Sequence, residues 1–230
     1  MYGVLLSIAV ASALWSVSAC ATERSALIPP PIDDARADAV SASETVVLAG
    51  GCFWGVQAVF QHVTGVVKAV SGYAGGTKAT AQYEIVSSGQ TDHAEAVEVT
   101  FDPRVVSYGT LLRTYLSVIH DPTQLNRQGA DVGRQYRSAI FVRDDSQRRI
   151  AERYITQLNA AGVFNRPIAT KIEPLEAFYP AESYHQDFAT LHPDHPYIVA
   201  VDRPKVEDLK RSFPKLYRET PVLGAVLAHP

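Results

Sequence analysis

Residues 45–63, "TVVLAGGCFWGVQAVFQHV", change period in mid-passage. "TVVLA" is a β-branched run of strand type, whereas Phe53, Val56, Val59, Phe60 and Val63 recur at the spacing of one helix face. A strand must hand over to a helix across paired glycines, and Cys52 stands at the join. A thiol at the first turn of a helix meets unpaired N–H groups and the positive end of the macrodipole, which favours its thiolate form and makes Cys52 a candidate nucleophile. The same place also suits a buried, unreactive cysteine. The adjacent aromatics Phe53 and Trp54 point to different sides of a helix, so one of them is available to line an apolar pocket beside the sulfur, unless both are packed in the core.

The same strand and helix signals recur downstream. "VVKAVSGYAGG" reads as a strand ending in a glycine turn, "HAEAVEVTFDP" alternates until a proline stops it, and "SAIFVR" is a further strand. "SYGTLLRTYLSVIH", capped by Ser107, and "DDSQRRIAERYITQLNAAG", which opens on aspartate and closes at Gly162, have helical spacing; "ESYHQDFATLH" reads as a short last helix. Helices and strands in mixed order, with hairpin-like pairs, predict an α+β domain. Residues 120–137, "HDPTQLNRQGADVGRQYR", are long, polar and without period, and such stretches, when ordered, usually carry function. Tyr136 shares strand parity with Ile140 and Val142, which turns its ring inward and leaves its hydroxyl in need of a partner.

The alternating strand supplies a second chemical group. His93, Glu95, Val97, Val99 and Phe101 share one face; Ala94, Ala96, Glu98 and Thr100 share the other. A carboxyl among Val and Phe is desolvated, so its neutral form is favoured and it becomes a proton donor near neutral pH. The alternative for Glu95 is a sheet margin where it reaches water or an arginine. Glu98, on the other face, reads as solvated.

The opening residues 1–20 carry an uncharged apolar core from Val4 to Val17, of signal-segment rather than membrane-spanning length. "VSAC" resembles a lipobox, which makes Cys20 the expected lipidated residue; ordinary signal cleavage nearby is the alternative. Residues 21–44, with three consecutive prolines, read as an unstructured linker, 45–206 as the folded domain, and 207–230 as a tail. An exported, periplasmic and lipid-anchored protein is expected, with a monomer as the default. With a formal charge of −3 the chain has no basic footprint for nucleic acid. The histidines, "HPDH" included, fit no familiar zinc spacing, so no metal is expected, and no GxSxG motif or phosphate-cradling loop occurs.

Taken in order, "GCFWG", "SGYAGG", "HAEAVEVTFDP", "HDPTQLNRQGADVGRQYRSAIF" and "AESYHQDF" resemble the A-class peptide methionine sulfoxide reductases from about Thr45 to about Lys205. The resemblance implies a two-layer, plait-like (ferredoxin-like) α+β sandwich with an irregular active-site loop, and selectivity for the S epimer. It implies that Cys52 attacks the sulfoxide sulfur and that Phe53 and Trp54, with Gly51 beside them, receive the substrate's methyl group. It further implies that Glu95 protonates the sulfoxide oxygen, that Tyr83 and Tyr136 hydrogen-bond that oxygen, and that Asp131 contributes to substrate binding or a water network. No cofactor is implied. Many relatives carry resolving cysteines near the C-terminus, but no cysteine follows Cys52 here. The expected cycle therefore uses one cysteine, its sulfenic acid being reduced by a thioredoxin-like protein or a small thiol. A thiol peroxidase and a lipid-anchored binding module are the competing readings.

Overall fold

A computed structural model describes residues 28–34 and 43–224. The elements follow in the order β1 (Glu44–Gly50), α1 (Phe53–Gln61), β2 (Val66–Ala74), α2 (Tyr83–Val86), β3 (Ala94–Phe101), α3 (Tyr108–Thr114), β4 (Arg127–Gln128), β5 (Asp131–Val132), β6 (Ser138–Val142), α4 (Asp145–Ala160), β7 (Lys171–Pro174), β8 (Phe178–Pro180), α5 (Phe188–Leu191) and α6 (Arg203–Ser212).

The main sheet has the order β7-β6-β1-β3-β2-β8. Its inner strands β6-β1-β3-β2 are antiparallel throughout, the strand order of a ferredoxin-like plait, as expected. The alternation of β3 fixes what each face packs against. Val97, Val99 and Phe101 join Val46, Leu48 and Ile140 in the large core beneath α1, α3 and α4. Ala94 and Ala96 join Val47, Ala49, Ala139 and Phe141 in a thinner core closed by Leu175 and Phe178. The small side chains on that second face let a connecting segment, rather than a helix, cover it. Ser107 and Asp144 cap α3 and α4 by accepting the Thr110 and Gln147 N–H groups.

Four departures from the sequence reading have local causes. Strands β7 and β8 were not anticipated; each is short and lies at a sheet edge. The helix expected over "ESYHQDFATLH" breaks into a single turn, Ser183–His185, and α5, because Asp187 adopts φ 58° between them. That backbone is held by side-chain bonds: the Asp187 N–H donates to Gln57 Oε1 (2.9 Å), and the Asp187 carboxylate accepts from Gln61 Nε2 (2.5 Å) and the Gly224 N–H (2.7 Å).

The stretch expected as a tail instead continues α6, buries Leu209 and Phe213, and runs back along α1 through a Val63–Tyr217 bridge and a Val222 N–H to Gln61 carbonyl bond. Within the expected linker, residues 28–34 form a strap on α3 and α4. Ile28 is fully buried, its carbonyl accepts from Arg113 Nε, and the Pro29 and Pro30 carbonyls accept from Tyr154 and Gln157. Asp34 accepts the Gly109 N–H and the Ser107 hydroxyl at the start of α3. Prolines leave these carbonyls free to be bonded from outside, which composition alone does not reveal. Cys20 and residues 1–20 lie outside the described residues, as do 225–230.

Candidate active site

The site is built on the corner between β1 and α1. Gly51 takes φ +89°, and a Cβ there would lie 2.8 Å from Gln128 Cβ, so the position admits glycine on both conformational and packing grounds. Gln128 in turn is locked by its amide, which accepts the Asp121 N–H (3.0 Å) and donates to the Asp121 carbonyl (3.2 Å). The structure thus gives Gly51, expected at the substrate-binding corner, a backbone task. Cys52 is the N-cap of α1, a free and partly buried thiol.

Glu95 projects from β3 directly below that cap, 2 % exposed, and its Oε2 accepts the Phe53 N–H at 3.1 Å. Burial pushes its carboxyl up to about 8; the Phe53 N–H opposes this, and the nearby Asp131 and Asp202 charges reinforce it. Glu95 is thus predominantly protonated at neutral pH, the state of a proton donor.

Cys52 departs from the expectation of a resting thiolate. Burial raises its pKa well above the ordinary value, the Glu95 and Asp202 charges add to the rise, and the Trp54 N–H and Lys205 oppose it. Of the donors freed at the start of α1, the Phe53 N–H goes to Glu95 and the Trp54 N–H is left to the sulfur, which does not outweigh the burial.

Two tyrosines from separate segments converge on this pair. Tyr83 opens α2, and its N–H donates to Glu182 Oε1 (2.9 Å), while Glu182 Oε2 accepts from Tyr73, the residue paired with Glu95 across β2 and β3. Tyr136 lies in a single helical turn, Arg134–Tyr136, closed by its N–H to the Gly133 carbonyl, so it precedes β6 instead of sharing that strand's parity. Burial first, and then the charges of Glu95 and Cys52, raise the pKa of both hydroxyls and keep them protonated as donors. Asp131, on β5, accepts from the Tyr197 hydroxyl at 2.5 Å.

The aromatic pair divides as its helical spacing requires. Phe53 is 1 % exposed and packs against Tyr73 and His185, whereas half-buried Trp54 stacks on Phe188 at 3.8 Å and donates Nε1–H to His185 Nδ1. His195 and Tyr197 stand edge-on to the indole at 6.0 Å. These rings form an apolar wall beside the sulfur, and they engage the histidines of "HPDH" as packing partners. Among the described residues no group of three or more His, Cys, Asp or Glu is placed to hold a metal ion.

Glu182, His185, Tyr197 and Asp202 were not singled out as site residues from the sequence. None lies on a regular element whose period would have marked its direction; only the presence of Glu182 and His185 within "AESYHQDF" offered a signal.

Residues 44–216 match the family model described as peptide methionine sulfoxide reductase. A "Peptide methionine sulfoxide reductase MsrA 2" of Mesorhizobium japonicum is 60% identical over 185 residues, covering 80% of this chain and 95% of that protein. The protein of the same name from Synechocystis is 50% identical, covering 82% of this chain and 89% of that protein. Among solved structures, methionine sulfoxide reductase A of Corynebacterium diphtheriae is 36% identical with a TM-score of 0.58, covering 67% of this chain and 77% of that one. Reduced Mxr1 of Saccharomyces cerevisiae is 32% identical with a TM-score of 0.62, covering 67% and 88% of the two chains.

Proposed function

The chain belongs to the A-class peptide methionine sulfoxide reductases, and from that premise we propose that it reduces the S epimer of methionine sulfoxide, in oxidised proteins and as the free amino acid, with Cys52 as nucleophile and Glu95 as acid. The observation that carries this reading is the contact between the Glu95 carboxylate and the first N–H beyond Cys52, which puts a largely neutral acid beside the sulfur. Sulfoxide oxygen leaves poorly unless protonated, so a sulfur nucleophile needs such a partner.

The step balances as follows. Cys52 Sγ attacks the sulfoxide sulfur, Glu95 gives its proton to the oxygen, and that oxygen ends on Cys52 as a sulfenic acid. The substrate sulfur gains two electrons, Cys52 loses two, and the thiol proton returns to the Glu95 carboxylate. Tyr83 and Tyr136 donate to the oxygen, Phe53 and Trp54 receive the methyl group, and Asp131 supports the substrate side through Tyr197.

An external thiol then attacks Cys52, water leaves, and a second thiol releases the resting enzyme. A thioredoxin-like protein or a small thiol fills that role, because no cysteine follows Cys52 in the sequence and acylation would consume the sulfur of Cys20. We place the enzyme outside the cytoplasm, lipid-anchored at Cys20 on the periplasmic side, on the strength of the apolar opening segment and "VSAC", with a monomer as the default.

Epimer-resolved reduction by wild type and Cys52→Ser tests the reading. Turnover of the S epimer alone, lost in the variant, is expected; S-epimer turnover that survives in Cys52→Ser overturns it. One turnover without reductant should consume the Cys52 thiol and leave no internal disulfide.

A further inference from the structure

The helix turn that carries Cys52 has a second carboxylate packed against it that the mechanism leaves unused. Asp202 ends the wide turn Ile198–Asp202 that leads into α6, and it is fully buried. It lies against the first turn of α1: a Cβ added at Gly55 would collide with Asp202 Oδ1 and stand 2.8 Å from Lys205 Nζ. Lys205 Nζ pairs with Asp202 Oδ1 at 3.1 Å, while Asp202 Oδ2 has no hydrogen-bond partner among the described residues. A buried carboxylate with one oxygen unbonded is costly, and such groups in native folds call for an explanation. Positions 52 and 55 are one helical turn apart, roughly 5–6 Å between Cβ positions, so this ion pair is pressed against the turn that carries the sulfur.

We propose that Asp202 and Lys205 are a positioning pair that sets the charge state of Cys52, the carboxylate holding the resting sulfur as a thiol and the ammonium limiting that effect. Glycine at position 55 is what lets the pair approach. The groups around the sulfur are Glu95 from β3, Tyr83 from α2, Tyr136 and Asp131 from the polar loop, Tyr197 before α6, and His120 behind Gly50. Of these, Glu95 is largely neutral at neutral pH and adds its charge above about 8, His120 is held neutral by burial, and the tyrosines remain protonated. Asp131 is spent on the Tyr197 hydroxyl. Asp202, whose burial is offset by its pairing with Lys205, and Lys205 are the charged groups pressed on the sulfur's own helix turn at Gly55, and their signs predict opposite effects. The Cys52 thiol is raised by Asp202 and lowered by Lys205, in agreement.

The inference rests on Cys52 as the working sulfur, but its test needs no turnover. Alkylation of Cys52 by iodoacetamide, read by peptide mass spectrometry across pH, reports the thiolate directly. Asp202→Asn should lower the midpoint by about one pH unit and speed alkylation at neutral pH about tenfold, whereas Lys205→Gln should raise the midpoint and slow it. Lys205→Arg should restore the wild-type midpoint. A loosened fold would shift both neutralising variants the same way, and that outcome, or no shift in either, overturns the proposal. If Asp202→Asn does not fold, the Lys205 variants decide alone: a midpoint that fails to rise in Lys205→Gln overturns it. Loss of methionine sulfoxide reduction with the predicted alkylation shifts intact would strike the proposed function and leave this inference standing.

Discussion

Two regions meet at the sulfur, and they are held by different forces. The frame of β1, α1 and β3 brings Cys52 and Glu95 together on a hydrogen-bonded ladder, with Val46, Leu48, Val97 and Val99 fully buried behind it. The segments from 120 to 202 deliver Asp131, Tyr136, Tyr197 and Asp202 on turns tied by side chains: Gln128 to the Asp121 backbone, Asp121 to Thr123, Asp187 to Gln57 and Gln61. Likewise Gln186 fastens the turn after Glu182 to β2, its oxygen accepting the Ser71 N–H and its nitrogen donating to the Ser71 and Ala181 carbonyls. The comparison teaches a division of labour. In the proposed reaction the two groups that exchange protons and electrons with the substrate, Cys52 and Glu95, sit with the methyl-facing Phe53 and Trp54 on the stiff frame, while the polar groups Asp131, Tyr136 and Tyr197 come from the side-chain-tied segments.

That division ranks the expected effects of substitution. Cys52→Ser should lower kcat/KM by roughly 10⁴-fold or more in a steady-state assay, since nothing else supplies the nucleophile. Glu95→Gln should cost about 10²–10⁴-fold in kcat, as for loss of a general acid. The same residue gives a pH signature: wild-type kcat/KM should fall as pH rises through about 8, where Glu95 loses its proton, and the Gln variant should lack that limb.

The sign for stability follows from the same shift. The folded protein retains the Glu95 proton between the ordinary value of 4.5 and about 8, so wild-type stability declines across that window relative to Glu95→Gln. Denaturant titrations at pH 4 and pH 8 check this.

The turn-borne hydroxyls should matter less. Tyr136→Phe and Tyr197→Phe each remove one hydrogen bond, and about tenfold or less in kcat/KM is expected. A loss in either as large as that of Glu95→Gln would break the comparison between frame and turns. Ile28→Ala should have the smallest effect on turnover while removing about 2–5 kcal/mol of stability, because the buried strap lies on α3 and α4 and not at the sulfur. A thermal melt beside a turnover assay separates the two.

Legibility from sequence follows the same boundary. Glu95 was readable because strict alternation marked its face, and Cys52 because two periods collide at it. Phe53 and Trp54 could be assigned to different sides by helical spacing alone. Tyr197 and Asp202 reach the site from a wide turn, where no period marks direction, and Asp202 declares itself only once Gly55 is seen beneath it. The burial that opposes a resting thiolate at Cys52 is hidden from the sequence for a related reason. Proximity to a helix start can be read from sequence, but that the first N–H would be claimed by a carboxyl 42 positions away cannot.

Were Cys20 the lipid anchor proposed above, the docked segment at 28–34 would set how far the enzyme reaches. In the acylated form proposed above, only eight residue steps separate the anchor at Cys20 from Ile28, about 29 Å at full extension. On so short a leash the acylated domain would patrol a shell no deeper than itself above the bilayer, and its clients would be proteins that dwell at, or are brought to, that surface.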